Sequence, residues 1–299
     1  MHQLRARFSA LPATSRGILL MMLTVFLFTI LDATAKYLLQ HYGVVQVVWA
    51  RYAGQTLMVG LLVLPQVPGV FRTRNLGTHV IRSSFQFGAT ILFFSSLMVI
   101  GLAEATAIMD VNPVLVTLGA ALFLGEKLGP RRLFGVMAAL VGALIIIRPG
   151  TGVFSPAALL PLAAAVFYSG YALMTRKLGH NESVWTSLMY TAMVGTVVSS
   201  VAVMFSWEPI ALMHLPAYLL VGASGALAQL CMIRAFTLAE AGAIAPFSYV
   251  GLLFATLWGW LFFAELPDIW TGIGGLVIVA AGLYVWHRET QAARRDRQQ

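Results

Sequence analysis

Charged residues are scarce in this chain: only 10% of its 299 residues are Asp, Glu, Lys or Arg, whereas 59% are hydrophobic. Soluble domains contain about 25% charged residues, so too few polar positions remain here to give each helix a water-facing side. A soluble α/β enzyme is therefore excluded. Cysteine is scarcer still, because Cys231 stands alone, and this excludes a disulfide framework.

Motifs that hold nucleotides or metals are also missing. The chain has no G-x-x-x-x-G-K-S/T loop, no H-E-x-x-H pair and no cluster of Cys and His at metal-ligand spacing. Its six histidines are scattered, which argues against a proton relay through histidine. The sequence thus predicts no metal, no cofactor and no enzyme activity. Because it contains no ATP-binding module, any work that the protein does would have to be driven by a gradient or run downhill.

What the chain does contain is a series of apolar runs of helix length. A helix of about 20 apolar residues crosses a bilayer, so we predict an all-α membrane protein with ten transmembrane helices. The predicted spans are Gly17–Gln40, Val44–Leu64, His79–Gly101, Ala103–Gly125, Leu133–Ile147, Ala157–Arg176, Val184–Ser206, Ala217–Ala239, Gly242–Ala264 and Ile269–Trp286.

The positive charges are distributed unevenly about these spans. With the N-terminus in the cytoplasm, 16 of the 19 Lys and Arg residues fall on the cytoplasmic side, the exceptions being Lys36, Arg51 and Arg148. This positive-inside bias predicts that both termini are cytoplasmic. The net charge of +8 then indicates contact with anionic lipid headgroups and no nucleic-acid partner. A monomer and a homodimer both fit the sequence.

An internal repeat divides the chain. The sequence LAEATAI at 102–108 recurs as LAEAGAI at 238–244, and the apolar runs that follow end at Glu126 and Glu265. Five spans per half is an odd number, so the second half enters the bilayer from the opposite side. Such inverted repeats are typical of secondary transporters, which bind their substrate between the halves. The predicted units are residues 1–148, residues 153–288 and a basic cytoplasmic tail, 289–299.

Scattered small, aromatic and charged residues over nearly the whole chain match the pattern of a known protein family. The second half contributes Pro246, Ser248, Tyr249, Glu265, Pro267, Gly272, Gly274, Gly275, Gly282, Arg288 and Glu289, and the first half Arg51, Pro113, Gly125, Glu126 and Gly135. With these residues the chain resembles the EamA-type proteins of the drug/metabolite transporter superfamily. The resemblance implies a bacterial inner-membrane protein with a cavity lined by spans one, three, four, six, eight and nine, and export of amino acids or related metabolites.

Ionisable groups within a span are costly and suggest function. Asp32 lies 15 residues after Gly17, about 22 Å along the first span, and Lys36 follows one turn later on the same face. Asp32 either binds a proton or a substrate ammonium group, or it forms an ion pair with Lys36 or Arg51. All three residues map to the outer third of the bilayer, which favours the ion pair.

A proline in span four marks a second candidate region. Pro113 lacks a backbone N–H, so the helix is expected to bend or unwind beside Asp110 and Asn112. Exposed backbone next to a carboxylate and an amide would bind the ammonium group of a zwitterion; alternatively, Asp110 pairs with Arg51 or faces outer water. The parallel element in span nine contains Pro246, Ser248 and Tyr249.

Aromatic and amide side chains on other spans suit an apolar cavity with few polar groups. A gating role is a further prediction for Arg234 and Glu240 at the inner mouth, beside the outer candidates Asp32, Lys36 and Arg51. The cavity candidates on these spans are Gln86, Phe93, Tyr168, Tyr171 and Gln229.

Taken together, these features predict an exporter of small organic molecules, including aromatic amino acids, that works by alternating access. A nucleotide-sugar or sugar-phosphate carrier would need Lys or Arg deep in the cavity, and none is predicted at mid-membrane. A drug or cation exporter would need a mid-membrane acid, and Asp32 and Asp110 map too far out. The alternatives of another class are an intramembrane enzyme and a sensor scaffold.

Overall fold

The part of the chain that the structure describes is helical and contains no strand. The computed structural model describes residues 11–63, 70–71, 73–124, 130–148, 155–178, 182–239 and 245–296. The helices of the first half are α1 (Ala13–Leu39), α2 (Val44–Val63), α3 (Leu76–Leu97), α4 (Leu102–Met109), α5 (Asn112–Leu124) and α6 (Pro130–Ile147). Those of the second half are α7 (Leu159–Leu178), α8 (Val184–Val203), α9 (Leu215–Leu238), α10 (Val250–Phe263) and α11 (Ile269–Asp296).

Apolar side chains cover the outside of this helical body, while polar side chains lie within it. Leu57, Phe123 and Leu253 are exposed, whereas Gln46 and Gln55 are fully buried. This is the reverse of the partition in a soluble protein and suits a lipid solvent. The segments long and apolar enough to cross a bilayer are Ala13–Leu39, Pro156–Thr175, Val184–Val203 and Leu212–Ala235, and shorter apolar helices cover Leu133–Ile147, Phe247–Phe263 and Ile269–Tyr284.

Two helices are interrupted where the sequence contains proline. The break predicted in span four is confirmed: α4 ends at Met109 and α5 begins at Asn112, because Pro113 has no N–H to donate to the carbonyl of Met109. In span nine a 3₁₀ helix, Ala245–Tyr249, precedes α10. At the other end of the chain, α11 continues to Asp296, so the predicted tail extends the last helix.

Helices of the first half pack mainly against helices of the second. The main cross-half pairs are α1 with α9, α6 with α11, α3 with α7, α2 with α8, α2 with α9, α3 with α8, α5 with α7, α1 with α10, and α4 with α10. Exchanging the halves converts the pair α1–α9 into α7–α3 and the pair α1–α10 into α7–α5. Glycines let α6 and α11 pack closely, since a Cβ atom at Gly274 would lie 2.6 Å from the carbonyl oxygen of Gly142.

Candidate functional site

A cavity of about 210 Å³, here called the central cavity, lies at the level of the α4–α5 break. Helices of both halves line it, and on α1 and α3 the lining residues recur at the spacing of one helix face. The lining residues are Val25, Phe28, Thr29, Asp32, Arg51, Gln86, Ala89, Thr90, Phe93, Thr106, Met109, Asp110, Asn112, Pro113, Tyr168, Ser248 and Gly251.

Arg51 brings a buried positive charge to this cavity. Its side chain is only 6% exposed, and its guanidinium carbon lies 5.4 Å and 5.6 Å from the ring centroids of Tyr52 and Phe94. The Nε atom has no hydrogen-bond partner in the described part of the chain. The aromatic rings give the cation a favourable neighbourhood, but they do not neutralise it.

Two carboxyl groups face the same space. Asp32 comes from α1, and Asp110 stands at the break between α4 and α5. Among the described residues neither forms an ion pair with Arg51 within 4.0 Å, and the Oδ2 atom of Asp110 is buried without a partner. The central cavity therefore holds a guanidinium group and two carboxyl groups whose hydrogen-bonding capacity is not used up within the protein.

Most of the predicted cavity residues lie where the sequence suggested. Gln86, Phe93, Asn112, Pro113, Tyr168 and Ser248 all line the central cavity together with Asp110. Ser169 fixes Asn112 by donating a hydrogen bond to its Oδ1 at 2.8 Å. The Oε1 atom of Gln86 is buried and has no partner within the described ranges, so it offers a further acceptor to a ligand.

Several other predicted site residues lie away from the cavity lining. Tyr171 covers Arg82, with 5.2 Å from the ring centroid to the guanidinium carbon, and Gln229 accepts a hydrogen bond from Gln55 at 3.2 Å. Tyr249 is buried against Gly282.

The predicted gating residues are spread over the molecule. Lys36 pairs with Glu265 and not with Asp32, at 2.7 Å between Nζ and Oε1. Arg234 is exposed on α9. The side chain of Pro246 and the whole of Glu240 lie outside the described residues.

Two expectations about the cavity need correction. The prediction that no Lys or Arg reaches its depth is wrong, because Arg51 lines it. The implied lining by span eight is not seen either, since the lining includes no residue of α9, whereas α2 contributes Arg51. Asp32, Arg51 and Asp110 thus meet around one cavity at the level of the helix break.

The hydroxyl groups of Thr29, Thr90 and Thr106 were not predicted as lining residues. Their signal was present in the sequence: Thr29 lies three residues before Asp32, and Thr90 lies four residues after Gln86, so each shares a helix face with a predicted residue. The threonine hydroxyls donate to backbone carbonyls of their own helices, as from Thr106 to Leu102 at 2.8 Å.

A second polar cluster lies around the N-terminal end of α3, whereas Lys36 lies near its C-terminal end. This cluster joins residues of the two halves. Glu182, ahead of α8, accepts hydrogen bonds from Thr73 at 2.6 Å and from Asn75 at 3.0 Å. The Nε2 atom of the buried His79 lies 3.6 Å from the other carboxylate oxygen. Burial raises the pKa of Glu182, but these hydrogen bonds and the neighbouring histidine outweigh it and hold that pKa below its ordinary value.

The sequence matches the EamA-like transporter family twice, over residues 15–148 and 155–286. Each match covers one half of the fold, and together they span the central cavity on both sides. The chain belongs to the EamA-like transporter family. The resemblance noted in the sequence is thereby confirmed, as is the prediction that the chain is no enzyme. No group of three or more His, Cys, Asp or Glu residues that would hold a metal occurs in the described part.

Curated relatives of the chain are transporters of several metabolites. A riboflavin transporter of Vibrio cholerae is 27% identical over 94% of this chain and 96% of its own length. A pseudopaline exporter of Pseudomonas aeruginosa is 32% identical over 89% and 94%. An S-adenosylmethionine uptake transporter of Rickettsia bellii is 26% identical over 95% and 97%. This EamA-like chain is therefore a multi-pass membrane transporter of small metabolites.

A solved structure supports the fold. One protein of known crystal structure superposes with a TM-score of 0.66 at 19% sequence identity, covering 94% of this chain and 98% of the other. At that identity the likeness concerns the fold alone.

Proposed function

We propose that this EamA-like protein exports amino acids, including aromatic ones, across the bacterial inner membrane by alternating access. Two five-helix halves, related by an inverted repeat, would rock about the central cavity, and both chain termini would lie in the cytoplasm. The cross-half packing supports the repeat, because exchanging the halves converts its major helix pairs into one another. The positive-inside bias supports the orientation.

The observation that carries this proposal is that ionisable groups of the central cavity keep buried polar atoms without partners in the described structure. A charge buried in a membrane protein is costly unless it is paired, yet Arg51 and Asp110 keep buried atoms without partners in the described structure. A zwitterion would satisfy both at once: its carboxylate would bind the guanidinium and its ammonium group would bind a carboxylate. An α-amino acid is the smallest metabolite that carries both groups.

The volume of the central cavity and its aromatic lining also favour a small amphipathic substrate. Sites for drug-sized ligands occupy about 300–1,000 Å³, whereas the central cavity measures about 210 Å³. Phe28, Phe93 and Tyr168 line it and would pack against an aromatic or aliphatic side chain. A small amphipathic substrate therefore suits this cavity better than a bulky drug.

The alternative carriers fit the charge pattern less well. A nucleotide-sugar or sugar-phosphate carrier needs several cations, but the central cavity contains one arginine and two acids. An organic cation exporter would use Asp32 and Asp110 and would leave Arg51 without a role. A sensor scaffold would give no flux at all.

The test is flux through liposomes that contain only this protein. Labelled aromatic and aliphatic amino acids are supplied with and without a proton gradient, and protein-free liposomes give the background. We expect saturable flux that unlabelled amino acid inhibits, while the matching amine without a carboxylate and the matching acid without an ammonium group inhibit only weakly. Absence of flux for every amino acid would overturn the proposed substrate class, and equal inhibition by the amine would overturn the zwitterion.

A further inference from the structure

Beyond the central cavity the molecule has a second, larger cavity of about 640 Å³, here called the vestibule. It lies at the C-terminal end of α1, the end predicted to face the periplasm. Its charged lining residues are Lys36, Glu104, Arg148, Glu265 and Asp268. The same helices border both cavities: on α1, Asp32 lines the central cavity and Lys36, one turn further, lines the vestibule.

At this boundary Lys36 is held by three acceptors. Its side chain is buried, and Nζ lies 2.7 Å and 2.8 Å from the two carboxylate oxygens of Glu265. Nζ donates one hydrogen bond to Oε2 of Glu265 and a second, at 2.9 Å, to the carbonyl oxygen of Ile100, just ahead of α4. The ring of Phe263 lies alongside, with its centroid 5.4 Å from Nζ.

Glu265, from the second half of the fold, contacts both Lys36 and the start of α4. Besides binding Lys36, its Oε2 atom accepts a hydrogen bond from the backbone N–H of Leu102 at 3.2 Å, in the first turn of α4. The left-handed conformation of Ala264 (φ 53°) ends α10, and the N–H of Glu265 then donates to the carbonyl of Gly259 at 3.0 Å. The carboxylate is therefore fixed by its own backbone as well as by its partners.

The pair connects three elements that would have to separate if the central cavity opened toward the vestibule. Lys36 belongs to α1 and Glu265 follows α10, and the hydrogen bonds to Ile100 and Leu102 include the start of α4. These three helices also line the central cavity. The Lys36 side chain is 7% exposed and that of Glu265 is 36% exposed. Separating the pair would leave the buried ammonium group without its carboxylate, so the closed arrangement is favoured until something offsets that cost.

We propose that Lys36 and Glu265 form the gate between the central cavity and the vestibule, and that this pair breaks when the cavity opens to that side of the membrane. The inference rests on the proposed transport by alternating access, but it concerns the conformational step and not the substrate. Arg148 and Asp268 form a second ion pair across the halves at 2.6 Å, but their side chains are 23% and 42% exposed. The two acids are similarly exposed, but Arg148 is more exposed than Lys36, at 23% against 7%. Water therefore compensates the charge of Arg148 better when that pair opens, and the pair serves as the control.

Cysteine accessibility tests the gate without any substrate. Cys231, the only cysteine, is replaced by serine, and Thr106→Cys places a reporter in the central cavity. A membrane-impermeant thiol reagent is then added to the vestibule side of oriented vesicles, predicted to be the periplasmic side. We expect slow labelling with the gate intact and labelling at least about tenfold faster in Lys36→Gln and Glu265→Gln. Arg148→Gln should change the rate by less than about twofold.

Two further variants test whether the contact between Lys36 and Glu265 is what closes the gate. Combining Lys36→Gln with Glu265→Gln should add little to either single change, because both break the same contact. The exchanged pair, Lys36→Glu with Glu265→Lys, should not restore protection: the Ile100 carbonyl requires a donor at position 36, and the Leu102 N–H requires an acceptor at position 265. Unchanged labelling in both single variants that remain monodisperse overturns the proposal.

If the single variants fail to fold because one charge is left unpaired, a variant that replaces both residues and joins them by a crosslink is used instead. Lys36→Cys with Glu265→Cys, joined by a reducible bifunctional thiol reagent, should block labelling of the reporter from the vestibule side until reductant is added. Labelling of the crosslinked protein at the uncrosslinked rate would contradict the gate. Because labelling needs no substrate, gated labelling without amino-acid flux would refute the substrate class alone, and amino-acid flux with ungated labelling would refute the gate alone.

Discussion

Arg51 on α2 and Asp110 at the break between α4 and α5 face the same cavity, and each has a buried polar atom without a partner in the described structure. In a protein whose outer surface is apolar, two such groups of opposite charge would be expected to pair with each other. They do not form an ion pair within 4.0 Å, and the space between the cavity walls remains open to a ligand that carries both charges.

Replacing either charge should therefore change which ligands bind. We expect Arg51→Gln and Asp110→Asn each to weaken amino-acid binding by about 10- to 100-fold, the loss of one charge-assisted hydrogen bond of about 1.5–3 kcal/mol. Arg51→Gln should leave binding of the matching amine nearly unchanged, and Asp110→Asn should leave binding of the matching acid nearly unchanged. Binding to the purified protein measures all three ligands. An equal loss for every ligand would indicate a structural role instead.

The two cavity acids are also the candidates for coupling to protons. If Asp32 and Asp110 carry the coupled proton, Asp32→Asn combined with Asp110→Asn should abolish the dependence of flux on a proton gradient, since an amide cannot release a proton. Flux under an imposed pH difference, compared with flux at equal pH, measures this dependence. Asp268→Asn, outside the central cavity, is the control and should keep it. Undiminished gradient-driven flux in the double variant would leave downhill facilitated transport or another proton site.

Much of the candidate site could be predicted because its residues obey helix periodicity. Asp32 shares a face of α1 with Val25, Phe28 and Thr29, a spacing visible in the sequence. The break at Pro113 could be predicted as well, because the missing N–H is a property of the residue itself. These features depend only on neighbours within about two turns.

The partners across helices could not be predicted in the same way. Lys36 and Glu265 are 229 residues apart, and sequence alone suggested Asp32, one turn away, as the partner of Lys36. The rotation of α1 decides between them: it turns Asp32 into the central cavity and Lys36 toward the vestibule. That rotation is set by packing against α9 and α10, which periodicity within one helix does not reveal.

A glycine on the last helix provides a test of how closely that helix packs against Tyr249, at the start of α10. A Cβ atom at Gly282 would overlap the hydroxyl group of Tyr249, whereas a Cβ atom at Gly272, on the same helix, would meet nothing within 4 Å. We expect Gly282→Ala to destabilise the protein by about 1–3 kcal/mol through overpacking, and Gly272→Ala to be neutral or stabilising by up to about 1 kcal/mol. Thermal unfolding in detergent compares the two variants. A similar melting temperature for both would mean that Tyr249 moves aside without cost.

The cluster around Glu182 should make stability depend on pH in a defined direction. Its carboxyl has a lowered pKa in the folded protein, because hydrogen bonds from Thr73 and Asn75 and the neighbouring His79 outweigh the effect of burial. A lowered folded pKa means that the carboxylate contributes stability above its ordinary pKa of about 4.5 and loses this contribution as the pH falls through the folded value. Glu182→Gln should therefore lower the melting temperature at pH 7.

The pH profile of that difference decides whether the charge is responsible. Between pH 7 and about pH 5 the gap between wild type and Glu182→Gln should stay constant, and below pH 4.5 it should narrow as the wild-type carboxylate takes up a proton. Glu208→Gln serves as the control, since the side chain of Glu208 is exposed, and it should match wild type throughout. A gap that persists unchanged at low pH would assign the stabilisation to the shape of the hydrogen-bonded side chain. The two halves would then be joined at this face by hydrogen bonds that do not depend on charge.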